Sequence, residues 1–193
     1  MAKKAIVLLA DGFEDVEAVT PIDYLRRAGI EVTTASISES LTVTSKWGGI
    51  KMTANSTLTD IVKQGTDDWD AIIAPGGMPG STNLAASKET GALIKKMAAD
   101  GKFVCAICAA PALVLAPLGL LNGKKFTCYP GMEEKVRATC CANGSKWSDN
   151  HVVTDGNIIT SRGAGTAGEF AVTIIEKLLD KAAAQKIADA VLL

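Results

Sequence analysis

The sequence predicts an α/β fold with a mostly parallel sheet covered on both faces. Short runs that are apolar at every position alternate with stretches of helical periodicity, and most successive runs are unsuited to hairpins. The runs also stop abruptly at Gly, Pro or Asp, as strands do where ligand-binding loops leave a parallel sheet.

Lys4 to Leu9 is the first strand, closed by Asp11-Gly12, and the acidic stretch Glu14, Asp15, Glu17 opens a helix reaching Arg27 and ended by Gly29. Pro21 lies inside that helix and is expected to kink or split it, because proline lacks the backbone donor and crowds the preceding turn. Glu31 to Ile37 is the next strand, and Leu41–Thr44 with Ile50–Met52 are short extended pieces around a Gly48-Gly49 turn. The segment Asp70-Ala-Ile-Ile-Ala-Pro75 is a strand buried on both faces. Lys88 to Asp100 is a helix closed by Gly101, Phe103 to Ile107 a further buried strand, and Cys108 begins the helix after it. His151–Val153 and Ile158–Thr160 flank Asp155-Gly156 as a hairpin, and helices at Thr166–Leu179 and Ala182–Val191 close the chain.

With 193 residues, no internal repeat and no linker-like composition, residues 1–193 are expected to form a single domain with an ample core. A net charge of −1 without a basic cluster argues against nucleic acid or an anionic membrane as partner and favours a small ligand. Asp11 cuts the first apolar run short of a cleavable signal segment, and Pro111, Pro117 and Gly119 interrupt the longest apolar stretch, so no membrane segment is expected. Five cysteines, an odd number, suit reduced thiols in a cytoplasmic protein.

Ala106-Ile-Cys108-Ala-Ala110 sets a nucleophile between a strand and a helix, with small residues two positions to either side, as a sharp nucleophile elbow requires. A helix amino terminus there is expected to lower the thiol pKa, whereas a small buried core residue is the plainer alternative. Cys105 and Cys108 spell C-x-x-C. Three extended residues part their α-carbons by roughly 10 Å, beyond the roughly 7 Å a disulfide tolerates, so the pair cannot close and Cys105 is expected in the core. Cys128, Cys140 and Cys141 lack metal-ligand spacing, so no metal site is expected. Gly76-Gly77 offers amide donors to an oxyanion or simply makes a tight turn. The segment from Ser161 to Thr166 precedes a helix in the manner of an anion cradle, without the lysine of a P-loop. His151, the only histidine, is expected to be exposed or structural, and Trp47, Trp69 and Trp147 are expected in core or interface. Proton transfer then falls to a carboxyl among Glu14, Asp15 and Glu17, which the residues alone do not separate.

Ala10-Asp-Gly-Phe-Glu-Asp-Val-Glu17, Ala74-Pro-Gly-Gly77, Ala106-Ile-Cys-Ala-Ala-Pro111 and Thr160-Ser-Arg-Gly-Ala-Gly-Thr166, in this order over nearly the whole chain, resemble the ThiJ/PfpI superfamily. Within it the resemblance is to the DJ-one branch, that of the Parkinson's-linked deglycase. It implies a flavodoxin-like three-layer sandwich, a homodimer, Cys108 as reactive thiolate, and Glu17 as the protonated acid beside it. It further implies substrate contacts from Gly76, Gly77, Ala109 and Tyr129, with an oxyanion pocket at the Gly77 and Ala109 amides. The implied activity is that of a cofactor-independent glyoxalase or deglycase acting on a small aldehyde. The alternative is an oxidative-stress sensor or holdase switched by oxidation of Cys108 to sulfinic acid. Two positions depart from relatives: Ala109 stands where the protease-like branch has histidine, which argues against a peptidase, and Tyr129 stands where the Parkinson's-linked protein has histidine.

Overall fold

The computed structural model describes residues 2–47, 49–139 and 143–193. A strand that is apolar from its second residue on needs cover on both faces, and β1 (Lys4–Leu9) has it. Ile6 and Leu8 enter one buried cluster, while Ala5, Val7 and Leu9 enter another on the opposite face. Helix α1 (Asp15–Arg27) carries acids in its first turn and arginines in its last, matching the helix dipole. It stops where Gly29 turns to φ +80°, with the Gly29 and Ile30 amides donating to the Arg26 and Leu25 carbonyls. Contrary to the sequence expectation, Pro21 does not split α1. Its missing donor removes one backbone bond, and the packing of Pro21, Ala18, Ile22 and Leu25 in the core outweighs that loss.

The chain continues through β2 (Glu31–Ser36), β3 (Thr42–Thr44), β4 (Lys51–Thr53), β5 (Ser56–Thr57), α2 (Leu58–Gln64), β6 (Ala71–Ala74), α3 (Gly80–Ala86), α4 (Lys88–Ala99) and β7 (Phe103–Ile107). A π-helical turn at Pro111–Leu115 follows, then β8 (Lys125–Phe126), α5 (Glu133–Ala138), β9 (Lys146–Trp147), β10 (Val152–Asp155), β11 (Ile158–Ser161), α6 (Ala167–Leu178) and α7 (Lys181–Val191). β3 and β4, in the region of the two extended pieces expected around Gly48-Gly49, pair antiparallel, and Gly48 lies outside the described residues.

Seven strands form the main sheet in the order β10-β11-β7-β6-β1-β2-β5, and every neighbouring pair is parallel except β10 with β11. Residues from α2, α3 and α4 fill one buried cluster and those from α1, α6 and α7 the other, which gives the three layers of a flavodoxin-like α/β fold. The β10–β11 hairpin turns at Gly156-Asn157, one residue later than the Asp155-Gly156 pair expected. Asp155 stays in the ladder opposite Ile158 because its carboxylate accepts from the Lys125 amide at 2.9 Å, and Gly156 takes the left-handed conformation instead. No helix among the described residues is long and apolar enough to cross a membrane.

The chain winds outward from β1 through β2 to β5, then returns to build β6, β7 and β11 on the other side of β1. This reversal opens a crevice beyond the carboxyl ends of β1 and β6, where ligands of doubly wound sheets gather.

Candidate active site

Three loops meet in that crevice. The one after β1 brings Glu14 and Glu17, the one after β6 brings Gly76 and Gly77, and the one after β7 brings Cys108 and Ala109. Cys108 has φ +65°, a left-handed conformation that a side chain disfavours by about 1–2 kcal/mol. The surroundings impose it. The Cys108 amide donates to the Ser161 carbonyl at 2.9 Å, the Tyr129 amide donates to the Cys108 carbonyl at 2.8 Å, and Ala106 and Ala110 are wholly buried on either side of the reversal.

Glu17 is 1% exposed, yet it belongs to the first turn of α1. Its Oε2 accepts from the Gly76 amide at 2.9 Å, and its carboxyl reaches the Cys108 thiol. Burial pushes its pKa up to about 7, with the Glu14 carboxylate adding to the rise, against the pull of the Cys108 thiol, the Gly76 amide and the Lys46 ammonium.

The thiol does not follow the sequence expectation of a lowered pKa. Burial, then the Glu17 carboxylate, push Cys108 up to about 12, and the Ala109 and Gly77 amides oppose them only in part. No α-helix starts at Cys108 either: the turn after it is π-helical and begins at Pro111. Two titrating groups in contact release their protons as a pair. The high second step is the cost of placing two negative charges side by side in a dry site, and between the two steps thiol and carboxyl hold one proton between them.

Of the substrate contacts expected at Gly76, Gly77, Ala109 and Tyr129, Gly76 needs correction: its amide is engaged by Glu17 and is not free to meet an oxyanion. The Gly77 and Ala109 amides line the cavity with Cys108 and pull the thiol's pKa down against its burial. Gly77 sits at φ +91°, and a side chain there would run into the backbone of Gly12, Phe13 and Glu14, so only glycine serves at this position. Tyr129 is half-exposed and lines the same cavity, which measures about 470 Å³ and also touches Lys46, Trp47, Met78, Met132 and Ala164.

The segment from Ser161 to Thr166 closes one side of this cavity and ties itself together. Thr166 Oγ1 donates to the Gly163 carbonyl at 2.9 Å and lies 2.7 Å from Ser161 Oγ. His151 is exposed elsewhere, with Nδ1 2.8 Å from Glu169 Oε1. Cys105 and Cys128 are unpaired and fully buried, and burial raises both thiols, that of Cys128 to about 12. Cys140 and Cys141 lie outside the described residues. Among the described residues no three His, Cys, Asp or Glu side chains cluster as metal ligands.

Trp47 is the residue that sequence reasoning missed. Expected in core or interface, it is 61% exposed at the cavity, with Nε1 donating to Glu14 Oε2 at 2.8 Å and the Lys46 ammonium 4.3 Å from its ring centre. A bridge between Phe13 and Ser45, reinforced by the Lys46 amide donating to the Phe13 carbonyl, carries it there. Such a pairing of distant segments leaves no local mark in the sequence.

The chain has clear relatives. Protein DJ-1 homolog B of Arabidopsis thaliana is 45% identical over 96% of this chain, which spans only 40% of that longer protein. Protein dj-1beta of Drosophila melanogaster is 38% identical over 100% of this chain and 98% of its own length. Its crystal structure superposes with a TM-score of 0.91, covering 100% of this chain and 99% of that one. A Caenorhabditis elegans protein named glutathione-independent glyoxalase DJR-1.2 is 36% identical over 91% of this chain and 89% of its own. The model of the DJ-1/PfpI family matches residues 3–177, and with a relative of this similarity aligned along its whole length, the chain belongs to that family.

Proposed function

We propose that the chain is a cofactor-independent glyoxalase that converts methylglyoxal or glyoxal to the corresponding hydroxy acid, with related release of early aldehyde adducts from proteins. The observation that carries this reading is the contact of a buried acid with a thiol, Glu17 against Cys108, with the Gly77 and Ala109 amides at the same sulfur. The name of the Caenorhabditis elegans relative supports it.

The chemistry balances without an external oxidant. The Cys108 thiolate adds to the aldehyde carbon, and the new alkoxide takes the proton from Glu17. The Glu17 carboxylate then removes the hydrogen from that carbon and delivers it to the neighbouring carbonyl carbon, while the hydroxyl proton passes from the first oxygen to the second. The first carbon is thereby oxidised, the second reduced, and a 2-hydroxyacyl thioester remains. Water cleaves it, releasing the hydroxy acid and restoring the pair with its single proton. The developing oxyanion lies within range of the Gly77 and Ala109 amides. Exposed Val16 and Val19 on α1 support a homodimer, and thiol chemistry of this kind suits a reducing cytoplasm.

The test is methylglyoxal consumption by the purified protein beside Cys108→Ala and Glu17→Gln. Loss of turnover in both variants is expected; equal turnover by all three removes the proposal.

A second reading, a sensor or holdase switched by oxidation of Cys108 to sulfinic acid, is favoured by one observation: Cys108 is partly accessible, while Cys105 and Cys128 are sealed. Mild peroxide should then add two oxygens to Cys108 alone, and uniform oxidation of all five cysteines counts against it.

A further inference from the structure

Methylglyoxal is a three-carbon molecule, and the cavity at Cys108 is far larger than it needs. At about 470 Å³ it falls among pockets that enclose ligands of many more atoms, roughly 300–1,000 Å³. Its wall is also unusual in composition. Trp47, Tyr129 and Met78 are 61%, 54% and 45% exposed, and Met132 joins them, so among the described residues large apolar side chains line the cavity around the thiol and stay open to solvent.

Trp47 is held in place. Glu14 binds its indole N–H and Lys46 lies against its ring, so little side-chain freedom remains to be lost when a ligand arrives. Lys46 balances Glu14, and the Glu17–Cys108 pair adds a negative charge once its first proton is lost, so an anionic substituent gains nothing from the cavity. Methionines adapt to irregular apolar shapes, and a fixed indole offers a flat π surface.

We propose that Trp47 is a specificity-determining residue and that the preferred substrate is a 2-oxoaldehyde carrying a flat apolar group, of the arylglyoxal class, with the aldehyde at Cys108 and the ring against Trp47 and the methionines. This rests on the glyoxalase reading above and deepens it.

The test uses phenylglyoxal and methylglyoxal as paired substrates, with calorimetric binding of their hydroxy-acid products, mandelate and lactate, to Cys108→Ala protein. The ratio of kcat/KM for phenylglyoxal over methylglyoxal is expected to be well above one, to fall about tenfold in Trp47→Ala through KM, and to recover in Trp47→Phe. Mandelate is expected to bind Cys108→Ala about tenfold more tightly than lactate and to lose that margin when Trp47→Ala is added. A substrate ratio at or below one, or one unmoved by Trp47→Ala, overturns the inference. If the unaltered protein consumes neither aldehyde, the glyoxalase reading falls, and the product affinities alone decide this one: equal binding of mandelate and lactate overturns it.

Discussion

Gly76 holds Glu17 with its backbone and makes room for it by lacking a side chain. Its amide donates to Glu17 Oε2 at 2.9 Å, and a Cβ built on Gly76 would strike that same oxygen and come within 2.7 Å of Cys108 Cβ. The acid and the nucleophile therefore meet only because this position is empty.

Gly76→Ala keeps the amide donor but fills that space. The methyl group must displace the Glu17 carboxyl or the Cys108 turn, at about 1–3 kcal/mol of stability for overpacking. Methylglyoxal turnover should fall about a hundredfold, the usual effect of a displacement near an ångström at reacting groups. Gly165→Ala is the control, since a Cβ there meets nothing within 4 Å. Denaturant unfolding and steady-state kinetics on the two variants check this, and equal effects at both glycines would refute the steric argument.

Glu17→Gln should stabilise the protein at alkaline pH while abolishing turnover. The folded-state pKa is raised from 4.5 to about 7, so the stabilising contribution of the neutral buried acid is complete below pH 4.5 and is lost as pH rises through 7. The loss is on the order of 3 kcal/mol, and glutamine, which does not ionise, escapes it. Melting curves from pH 4 to 9 should coincide for the two proteins at the acid end and separate by several degrees above pH 7, the variant melting higher. A constant offset across this range would mean that Glu17 ionises alike in the folded and unfolded states, so that burial does not raise its pKa.

Sharing of one proton sets the pH dependence of thiol reactivity. The first proton leaves the pair near pH 7 and the second near 12, and the thiolate with a neutral acid exists only between these steps. Iodoacetamide alkylation of Cys108 should accelerate as pH rises through 7 and then level off. In Glu17→Gln that inflection should vanish and the rise should move to higher pH, where burial alone governs the thiol. Mass-spectrometric alkylation rates at each pH read this directly.

Much of this was legible in the residues. β6 and β7 announce themselves because each is apolar at every position, and β1 because it is so after Lys4, which only a doubly covered strand permits, and the end of α1 is written in Gly29. Cys108 stands out because Ala106 and Ala110 leave room for a reversal. The acid was harder to find: Glu14, Asp15 and Glu17 share one helical start, and only the packing of α1 shows that Glu17 is buried while Glu14 reaches out to Trp47. The thiol pKa was misjudged for a related reason. A sequence shows the turn that favours an anion, but not the burial and the carboxylate that oppose it. Pro21 misleads in the other direction, because the core contacts that carry α1 through it come from distant parts of the chain.

The left-handed turn at Cys108 can be separated from its chemistry. Cys108→Ala and Cys108→Gly both remove the sulfur, and with it the crowding of Glu17 by a second ionisable group, but alanine must still adopt φ +65° whereas glycine does so freely. Ordinarily glycine destabilises relative to alanine, since it gives the unfolded chain more freedom. Here the steric cost of a Cβ in the left-handed region, about 1–2 kcal/mol, exceeds that effect. Cys108→Gly should therefore unfold at higher denaturant than Cys108→Ala, by about 1 kcal/mol, with neither variant active. Should the alanine variant prove the more stable, the bonds from Cys108 to Ser161 and Tyr129 would not be holding a strained turn, and the partly accessible position of the sulfur would need another cause.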